Sequence, residues 1–219
     1  EVLSERYGKP WSELVRERIT APLALVDTQQ HLGDKTLRLS PAFDGHRPAP
    51  AWDMLAFAGA GGLRSSAEEL ARFGQALVLG RQGPFGAAAE RLVTPLAPFR
   101  GGQIGYAVFI DGPPARRTWS HDGLTGGYRA LLTMYPDSGE VMATLVANRQ
   151  APLSQLGATL AATRYPVPAT AVTIDPAVLV DYPGVYRVDD DLALVCVVHE
   201  GALYVRSTGS VFRAYIPEI

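Results

Sequence analysis

The stretch Trp119-Ser120-His121-Asp122-Gly123-Leu124-Thr125-Gly126-Gly127-Tyr128 places a His-x-Gly triplet and two further glycines between segments with strand-like patterns. Glycine lets a ligand or another backbone approach closely, because no side chain intervenes. If the triplet lies on a strand edge, the backbone N–H of Leu124 can point at a developing oxyanion, and His121 can donate a hydrogen bond. The alternative is a tight turn beside an ordinary surface histidine, and the spacing alone leaves both interpretations open.

The composition is that of a globular protein able to bury a sizeable core. The chain has 219 residues, 47% of them hydrophobic, and its net charge of -2 gives no electrostatic basis for binding nucleic acid or acidic membranes. Cys196 is the single cysteine, so neither an intrachain disulfide nor a thiolate metal cluster is possible. The histidines lack metal-ligand spacing, and no apolar run reaches about 18 residues. We therefore expect no metal, no cofactor and no membrane span.

Common nucleophile motifs are absent from these residues. Lys9 and Lys35 are the only lysines, and neither follows a serine at the distance that Ser-x-x-Lys requires. Asn148 is the only asparagine, and Val146 stands two positions before it, which excludes Tyr-x-Asn and Ser-x-Asn. No Gly-x-Ser-x-Gly elbow and no Walker loop occur either. A nucleophile of these kinds is therefore not encoded here.

The first half of the chain shows helical patterns separated by loops. Residues 10–19 have the apolar spacing of a short amphipathic helix, and residues 23–58 show little periodicity. A stronger helix begins after residue 64, and a weaker one covers residues 86–93. The start of the stronger helix has two candidate capping boxes, Ser65 with Glu68 and Ser66 with Glu69.

The period then changes to that of strands. Strands are predicted at residues 104–110 and 117–120, followed by a hairpin of residues 128–135 and 141–147. The second arm of the hairpin is almost entirely apolar, so both of its faces should be covered. A helix over residues 153–164 is a candidate cover. Its inward-facing residues would be Leu153, Leu156 and Leu160.

The C-terminal residues have the pattern of a separate β-rich module. Residues 166–178 contain prolines and no period, which predicts a linker. Residues 179–219 then form a partial all-β module. Its β-like runs cover residues 184–188, 192–198 and 202–206.

Three segments resemble signatures of the serine β-lactamase-like family. They are Tyr7-Gly8-Lys9-Pro10-Trp11 with Ile19-Thr20-Ala21-Pro22-Leu23, then Gly59-Ala60-Gly61-Gly62-Leu63-Arg64-Ser65-Ser66 with Glu69-Leu70-Ala71-Arg72-Phe73, and finally Gly105-Tyr106 with residues 120–128. Their order and spacing agree with the family over residues 1–165. The resemblance implies an α+β fold, an α/β sandwich in which helices flank an antiparallel sheet as in β-lactamases and transpeptidases. The C-terminal module is similar to the lipocalin-like appendage of some of these hydrolases.

The resemblance also implies a chemistry. The family comprises class C β-lactamases, D-Ala-D-Ala carboxypeptidases, D-aminopeptidases and esterases, which cleave an amide or ester of a small molecule or peptide through an acyl-enzyme. Their third motif, Lys-Thr-Gly or His-x-Gly, lines the site. The match implies catalytic roles for His121, Gly123 and the Leu124 N–H, and substrate-binding roles for Asp122, Thr125 and Gly126. Histidine in place of lysine favours an esterase or peptidase, because a permanent cation matters less there. The family also implies a periplasmic or extracellular location.

The chain departs from the family in lacking the Ser-x-x-Lys and Tyr-x-Asn motifs, which normally precede its opening helix. We therefore expect residues 1–165 to be the C-terminal part of a hydrolase domain whose missing N-terminal half carries the nucleophile, and the 219 residues to be inactive alone. Two other interpretations stay open. One is a non-catalytic peptidoglycan- or peptide-binding protein on the same fold, and the other is a two-domain adhesion or assembly module.

Overall fold

The computed structural model describes residues 2–153, 156–157, 175–187, 193–199 and 202–208. Contacts divide the chain into two units, Glu1–Ala161 and Ala162–Ile219. The first unit combines helices with an antiparallel sheet, so the predicted α+β fold class is confirmed. The predicted domain limits stay a prediction.

Short elements joined by loops fill the N-terminal part of the first unit. They are α1 (Val2–Tyr7), α2 (Trp11–Val15), a π-helical turn (Arg16–Thr20), β1 (Phe43–Asp44), β2 (Arg47–Pro48) and α3 (Ala58–Gly61). Together, α2 and the π-helical turn occupy the predicted helix at residues 10–19. Pro10 precedes the first turn, where a missing N–H costs no hydrogen bond. Leu14 is buried, so the predicted apolar face is the one that packs.

The predicted strong helix is α4 (Ala67–Val78), and the weaker one is α5 (Ala87–Leu92). The side chain of Ser66 caps α4 by accepting a hydrogen bond from the Glu69 N–H at 3.2 Å. The predicted return bond from Glu69 is replaced by tertiary contacts. Its carboxylate accepts hydrogen bonds from the Asp27 N–H at 2.9 Å and from the Thr28 hydroxyl at 2.6 Å. The carboxylate thereby links the loop that follows the π-helical turn to the start of α4.

The sheet is a meander in which each strand pairs with the next along the chain. Among the described residues its strands are β3 (Ala97–Phe99), β4 (Gly102–Ile104), β5 (Phe109–Asp111), β6 (Thr118–Thr125), β7 (Tyr128–Tyr135) and β8 (Glu140–Val146). The hairpin predicted at residues 128–147 corresponds to β7 and β8. The predicted strand at residues 117–120 is longer, because β6 continues through the whole His-x-Gly segment.

The single strand predicted at residues 104–110 is wrong, because the chain reverses inside it. The Gly105 N–H donates to the Val108 carbonyl at 2.8 Å, and Ala107 adopts a φ of 58°. That left-handed conformation is uncommon for alanine and marks a tight turn. The residues on either side of it therefore form two antiparallel strands, β4 and β5.

The core lies between one face of the sheet and the helices α4 and α5. Leu77 and Ala89 of the helices are buried against Leu132 and Met134 of β7. Several partly buried side chains complete this cluster, among them Leu70, Phe73, Phe85, Trp119 and Val141. Both β6 and β7 thus contribute to the sheet face that packs on the helices, and β6 continues beyond this core into the His-x-Gly segment.

Residues 153, 156 and 157 are the described part of the helix predicted over residues 153–164, and they do not all face the sheet as predicted. Leu153 is 0% exposed, whereas Leu156 is 40% exposed, so the prediction is wrong for Leu156. Gly157 is buried instead, and a Cβ there would lie 2.6 Å from the Cδ2 of Leu131. Four residues turn a helix by about 400°, closer to a full turn than three residues do, so Gly157 shares the inward side with Leu153. Leu160 lies outside the described residues.

The second unit contains a described helix, α6 (Pro176–Leu179), and strands β9 (Gly184–Arg187), β10 (Ala193–His199) and β11 (Ala202–Thr208). The strands form an antiparallel sheet in the order β11-β10-β9, at the predicted β-like runs. Residues 166–174 of the predicted linker lie outside the described residues, and residues 176–178 belong to α6. No helix in the described parts of the chain combines the length and apolar character needed to cross a bilayer.

Candidate active site

Strand β6 carries the whole His-x-Gly segment, and its second half has a free edge. β5 pairs with β6 only at Thr118, Trp119 and Ser120, whereas β7 pairs with β6 as far as its last residue. The residues from His121 to Leu124 are exposed. Within the described ranges, no strand pairs with β6 on the β5 side beyond Ser120. The segment therefore presents a row of backbone groups to this open edge.

The hairpin turn after β6 determines which backbone groups face the open edge. Thr125 and Tyr128 face each other across a two-residue turn, and Gly126 has a φ of 57°, as the first central position of a type II′ turn requires. The residues that flank such a turn hydrogen-bond to each other. Bonded and non-bonded pairs alternate along an antiparallel ladder, so Leu124 belongs to a non-bonded pair. The Leu124 N–H therefore points away from β7, toward the open edge.

Gly123 lies in the exposed part of β6 with free space above it. A Cβ built at Gly123 would have no heavy atom within 4 Å. The end of the strand is different, because a Cβ at Gly61 of α3 would lie 2.9 Å from the Cγ2 of Thr125. Thr125 is accordingly half-buried. A ligand group can thus approach the backbone beside Leu124 without displacing atoms of the described chain.

The glycines of the turn are buried rather than open. A Cβ at Gly126 would lie 2.6 Å from the carbonyl oxygen of Pro50, and one at Gly127 would lie 2.7 Å from the backbone nitrogen of Phe43. Both positions need glycine because other backbone segments pass directly over them. The resemblance assigned Gly126 to substrate binding, and the structure places it beneath residues 50–52.

Tyr128, the first residue of β7, is held in place by its hydroxyl. This hydroxyl donates to the Ser40 carbonyl at 2.7 Å. Burial raises the pKa of Tyr128 above its ordinary value, and the positive charge of Arg64 partly opposes that shift. Because a phenol with a raised pKa stays protonated at neutral pH, Tyr128 is poorly suited to act as a general base. Arg64 also donates to the carbonyls of Gln30 at 2.8 Å and Trp52 at 2.9 Å, which fixes the loop beside the turn.

His121 and Asp122 have different surroundings because side chains alternate along a strand. The His121 imidazole is exposed and stacks on the ring of Phe109, with the centroids 5.6 Å apart and the planes at 11°. Asp122 lines a groove of about 380 Å³ that also contains Arg100, Phe109 and Asp111. Phe109 therefore contacts the His121 ring and also borders the groove beside Asp122.

Phe109 is a neighbour of His121 that sequence reasoning missed. Phe109 lies opposite Ser120, the residue before His121, near the end of the β5–β6 pairing, and the two rings come into contact there. The sequence signal that could have indicated this contact is the short apolar run at residues 107–110, had it been paired with residues 118–120 as a hairpin. The incorrect single strand at residues 104–110 concealed that pairing.

A larger cavity of about 720 Å³ lies elsewhere in the first unit. It is bordered by α2 and the following loop, with Glu13, Arg16 and His31 among its polar residues. None of the residues assigned to the site from the sequence lines it. The described residues also contain no group of three or more His, Cys, Asp or Glu side chains that could hold a metal ion.

Comparison with known proteins shows which family the chain resembles. The Beta-lactamase family model matches residues 1–164. Among solved structures, the octameric penicillin-binding protein homologue from Pyrococcus abyssi is 17% identical with a TM-score of 0.69, and the match covers 94% of this chain and 52% of that chain. The beta-lactamase/D-alanine carboxypeptidase from Pseudomonas syringae is 14% identical with a TM-score of 0.66, covering 75% of this chain and 56% of that one.

A third match, the class C beta-lactamase from Rhodobacter sphaeroides, is 14% identical with a TM-score of 0.62 and covers 72% of this chain and 54% of that chain. The chain spans about half the length of these structures. No curated protein sequence matches it. At such low identity the structures establish the fold, and the family model covers well over half of the chain. The chain therefore belongs to the Beta-lactamase family.

Proposed function

We propose that β6 forms one wall of an acylation site in a serine hydrolase that cleaves an amide or ester bond. The observation that carries this proposal is the open edge of β6, where Gly123 has free space beside the outward-pointing N–H of Leu124. An acyl-transfer site needs a place where a carbonyl carbon can be attacked while its oxygen accepts preorganised hydrogen bonds. The open space at Gly123 can admit the substrate carbonyl, and the Leu124 N–H can donate to its oxygen.

The proposed role of Leu124 is to stabilise the oxyanion. When a nucleophile adds to the substrate carbonyl, the C=O π electrons move to oxygen, and the Leu124 N–H donates to that negative oxygen. Removing one donor of this kind typically costs about 3 kcal/mol of transition-state stabilisation, or about 10²- to 10³-fold in kcat. The Leu124 N–H needs little reorganisation to reach this oxygen, because the β6–β7 ladder already fixes the direction of the N–H.

The proposed role of His121 is to donate a hydrogen bond to the substrate or to orient a general base. Its imidazole is exposed next to Gly123. A histidine here replaces the permanent cation that lysine provides at this motif position, which favours ester or peptide substrates over β-lactams. Asp122 and Thr125 stay proposed substrate contacts, and a periplasmic or extracellular location stays a proposal of the same kind.

In this proposal the acylated serine lies outside the 219 residues, because no serine among them is followed by lysine at the third position. The test is to treat the full-length protein with a fluorophosphonate probe and locate the adduct by peptide mass spectrometry. We expect one labelled serine, outside residues 1–219, and no label on the 219-residue chain alone. No labelled serine in the active preparation would contradict the proposal. Peptide binding without any labelling would instead support a peptidoglycan- or peptide-binding protein.

A further inference from the structure

Three rings from three strands form a continuous stack that ends on His121. The ring of Phe99 in β3 lies 5.4 Å from that of Phe109 in β5, with the planes at 5°. Phe109 in turn lies 5.6 Å from the His121 imidazole, with the planes at 11°. Both centroid distances fall in the range of offset-stacked aromatic pairs, which is the favourable parallel arrangement. The imidazole is therefore the last member of a row whose other members are phenylalanines.

The middle ring of this row is held independently of His121. Phe109 is half-buried, and its backbone pairs with Ser120 in the ladder. The Phe99 ring also stacks on it, and the guanidinium carbon of Arg100 lies 5.1 Å from the Phe99 centroid and 6.0 Å from the Phe109 centroid. These cation–π contacts add attraction at the outer end of the stack. Phe109 is thus a fixed surface on which the imidazole rests.

His121 has few other restraints. Within the described ranges, no hydrogen bond or ion pair reaches its imidazole, and the side chain is exposed. An exposed imidazole can rotate about its terminal torsion, which is broad and roughly two-fold. Rotation changes the directions in which Nδ1 and Nε2 point, so it changes what the ring can donate to or accept from. The contact with Phe109 is what limits that rotation.

We propose that Phe109 is a positioning residue that sets the plane of the His121 imidazole for turnover. The inference rests on the proposed function, since it assumes that His121 acts on a substrate at β6. Phe109 does not need to touch the substrate to have this effect. It acts by holding the imidazole nitrogens in the orientation used in the transition state, as residues that support a reacting side chain do.

The test compares Phe109→Leu with Phe109→Tyr in the full-length protein. Leucine keeps an apolar contact but has no flat face, so we expect kcat to fall by about three- to tenfold, the change that corresponds to loss of one aromatic stack. KM should change little. Tyrosine keeps the ring and should restore kcat. The control is Phe73→Leu, which removes a ring contact at 5.7 Å between Phe73 and Phe85 in the core and leaves the ring contact of His121 intact.

A second readout, NMR of the imidazole protons, separates positioning from stability. The His121 signals, assigned with His121→Gln, should shift in Phe109→Leu because the ring current is lost, and should stay in place in Phe73→Leu. The proposal is overturned if kcat of Phe109→Leu equals that of the wild type, or if Phe73→Leu lowers kcat equally at equal loss of stability. If the proposed function itself is wrong, the wild-type protein will show neither turnover nor a labelled serine, which distinguishes that result from failure of the positioning role alone.

Discussion

Gly123→Val separates the role of this glycine in the site from any role in the fold. A Cβ at Gly123 meets no heavy atom within 4 Å, so the valine side chain enters open space rather than packed protein. Glycine inside a strand costs roughly 0.5–1 kcal/mol relative to alanine, and valine is favoured in strands. We therefore expect the free energy of unfolding to stay the same or to rise by up to about 1 kcal/mol, which for a chain of this size is a rise of about 2–4 °C in Tm.

The effect of Gly123→Val on activity should be much larger. The added methyl groups occupy the space through which the substrate carbonyl would approach the Leu124 N–H. Displacement of a substrate by about 1 Å can cost about 100-fold in rate, so we expect kcat/KM to fall by at least that order. Gly123→Ala should have a smaller effect because its side chain is shorter. Both variants are compared with the wild type by hydrolysis of p-nitrophenyl acetate and by the rate of fluorophosphonate labelling.

Gly127→Val, in the turn that follows β6, is the matched control. A Cβ at Gly127 would lie 2.7 Å from the backbone nitrogen of Phe43, and backbone cannot move aside as a flexible side chain can. Overpacking of this kind costs typically about 1–3 kcal/mol, so Gly127→Val should lower Tm. If Gly123→Val keeps full activity, or if it loses stability as Gly127→Val does, the open-edge site on β6 is not where the substrate binds.

Three further outcomes follow from individual contacts. His121→Ala should lower kcat by about 100-fold, which is within the usual range for a side chain that transfers a proton. Its Tm, measured by calorimetry, should stay within about 2 °C of the wild type. A large loss of Tm together with the loss of kcat would indicate a structural role. Glu69→Ala should lower the free energy of unfolding in urea by about 1–3 kcal/mol, because the partly buried Asp27 N–H and Thr28 hydroxyl lose their acceptor. Glu68→Ala at the exposed neighbouring position should change that free energy by less than about 0.5 kcal/mol. Hydrogen bonds from Arg38 and Lys35 hold the pKa of Asp27 below its ordinary 3.8. A pKa that is lower in the folded state stabilises the fold above pH 3.8, and this contribution is lost as the pH falls through the folded-state pKa. Asp27→Asn should therefore flatten the acid side of a plot of Tm against pH, and an unchanged plot would contradict this.

The sequence predicted those features of the fold that depend on residues close together in the chain. The spacing from Ser66 to Glu69 located the start of α4, because an N-cap involves residues only a few positions apart. The partner of the Glu69 carboxylate could not be predicted in the same way. It depends on a loop, residues 27–28, that is distant in sequence and comes close only when the chain folds. Sequence pattern therefore identified the cap but not the tertiary hydrogen bonds that replaced the second half of the box.

The tight turn at residues 105–108 shows a second limit of pattern reading. Apolar residues continue through it from residue 106 to residue 110, and the left-handed residue is Ala107 rather than glycine, so the sequence does not mark the reversal at that position. The site has the same limit. The motif predicted roles for His121, Gly123 and the Leu124 N–H, whereas the contact with Phe109 and the direction of that N–H depend on strand register and on where β5 ends.

A crystal structure of the full-length protein after reaction with a fluorophosphonate tests the account most directly. The phosphonyl oxygen stands where the oxyanion of an acylation intermediate would be. If β6 is a wall of that site, this oxygen will lie about 2.7–3.1 Å from the backbone nitrogen of Leu124, with the adduct over Gly123. An adduct whose oxygen is hydrogen-bonded elsewhere, with the open edge of β6 facing only solvent, would contradict the account.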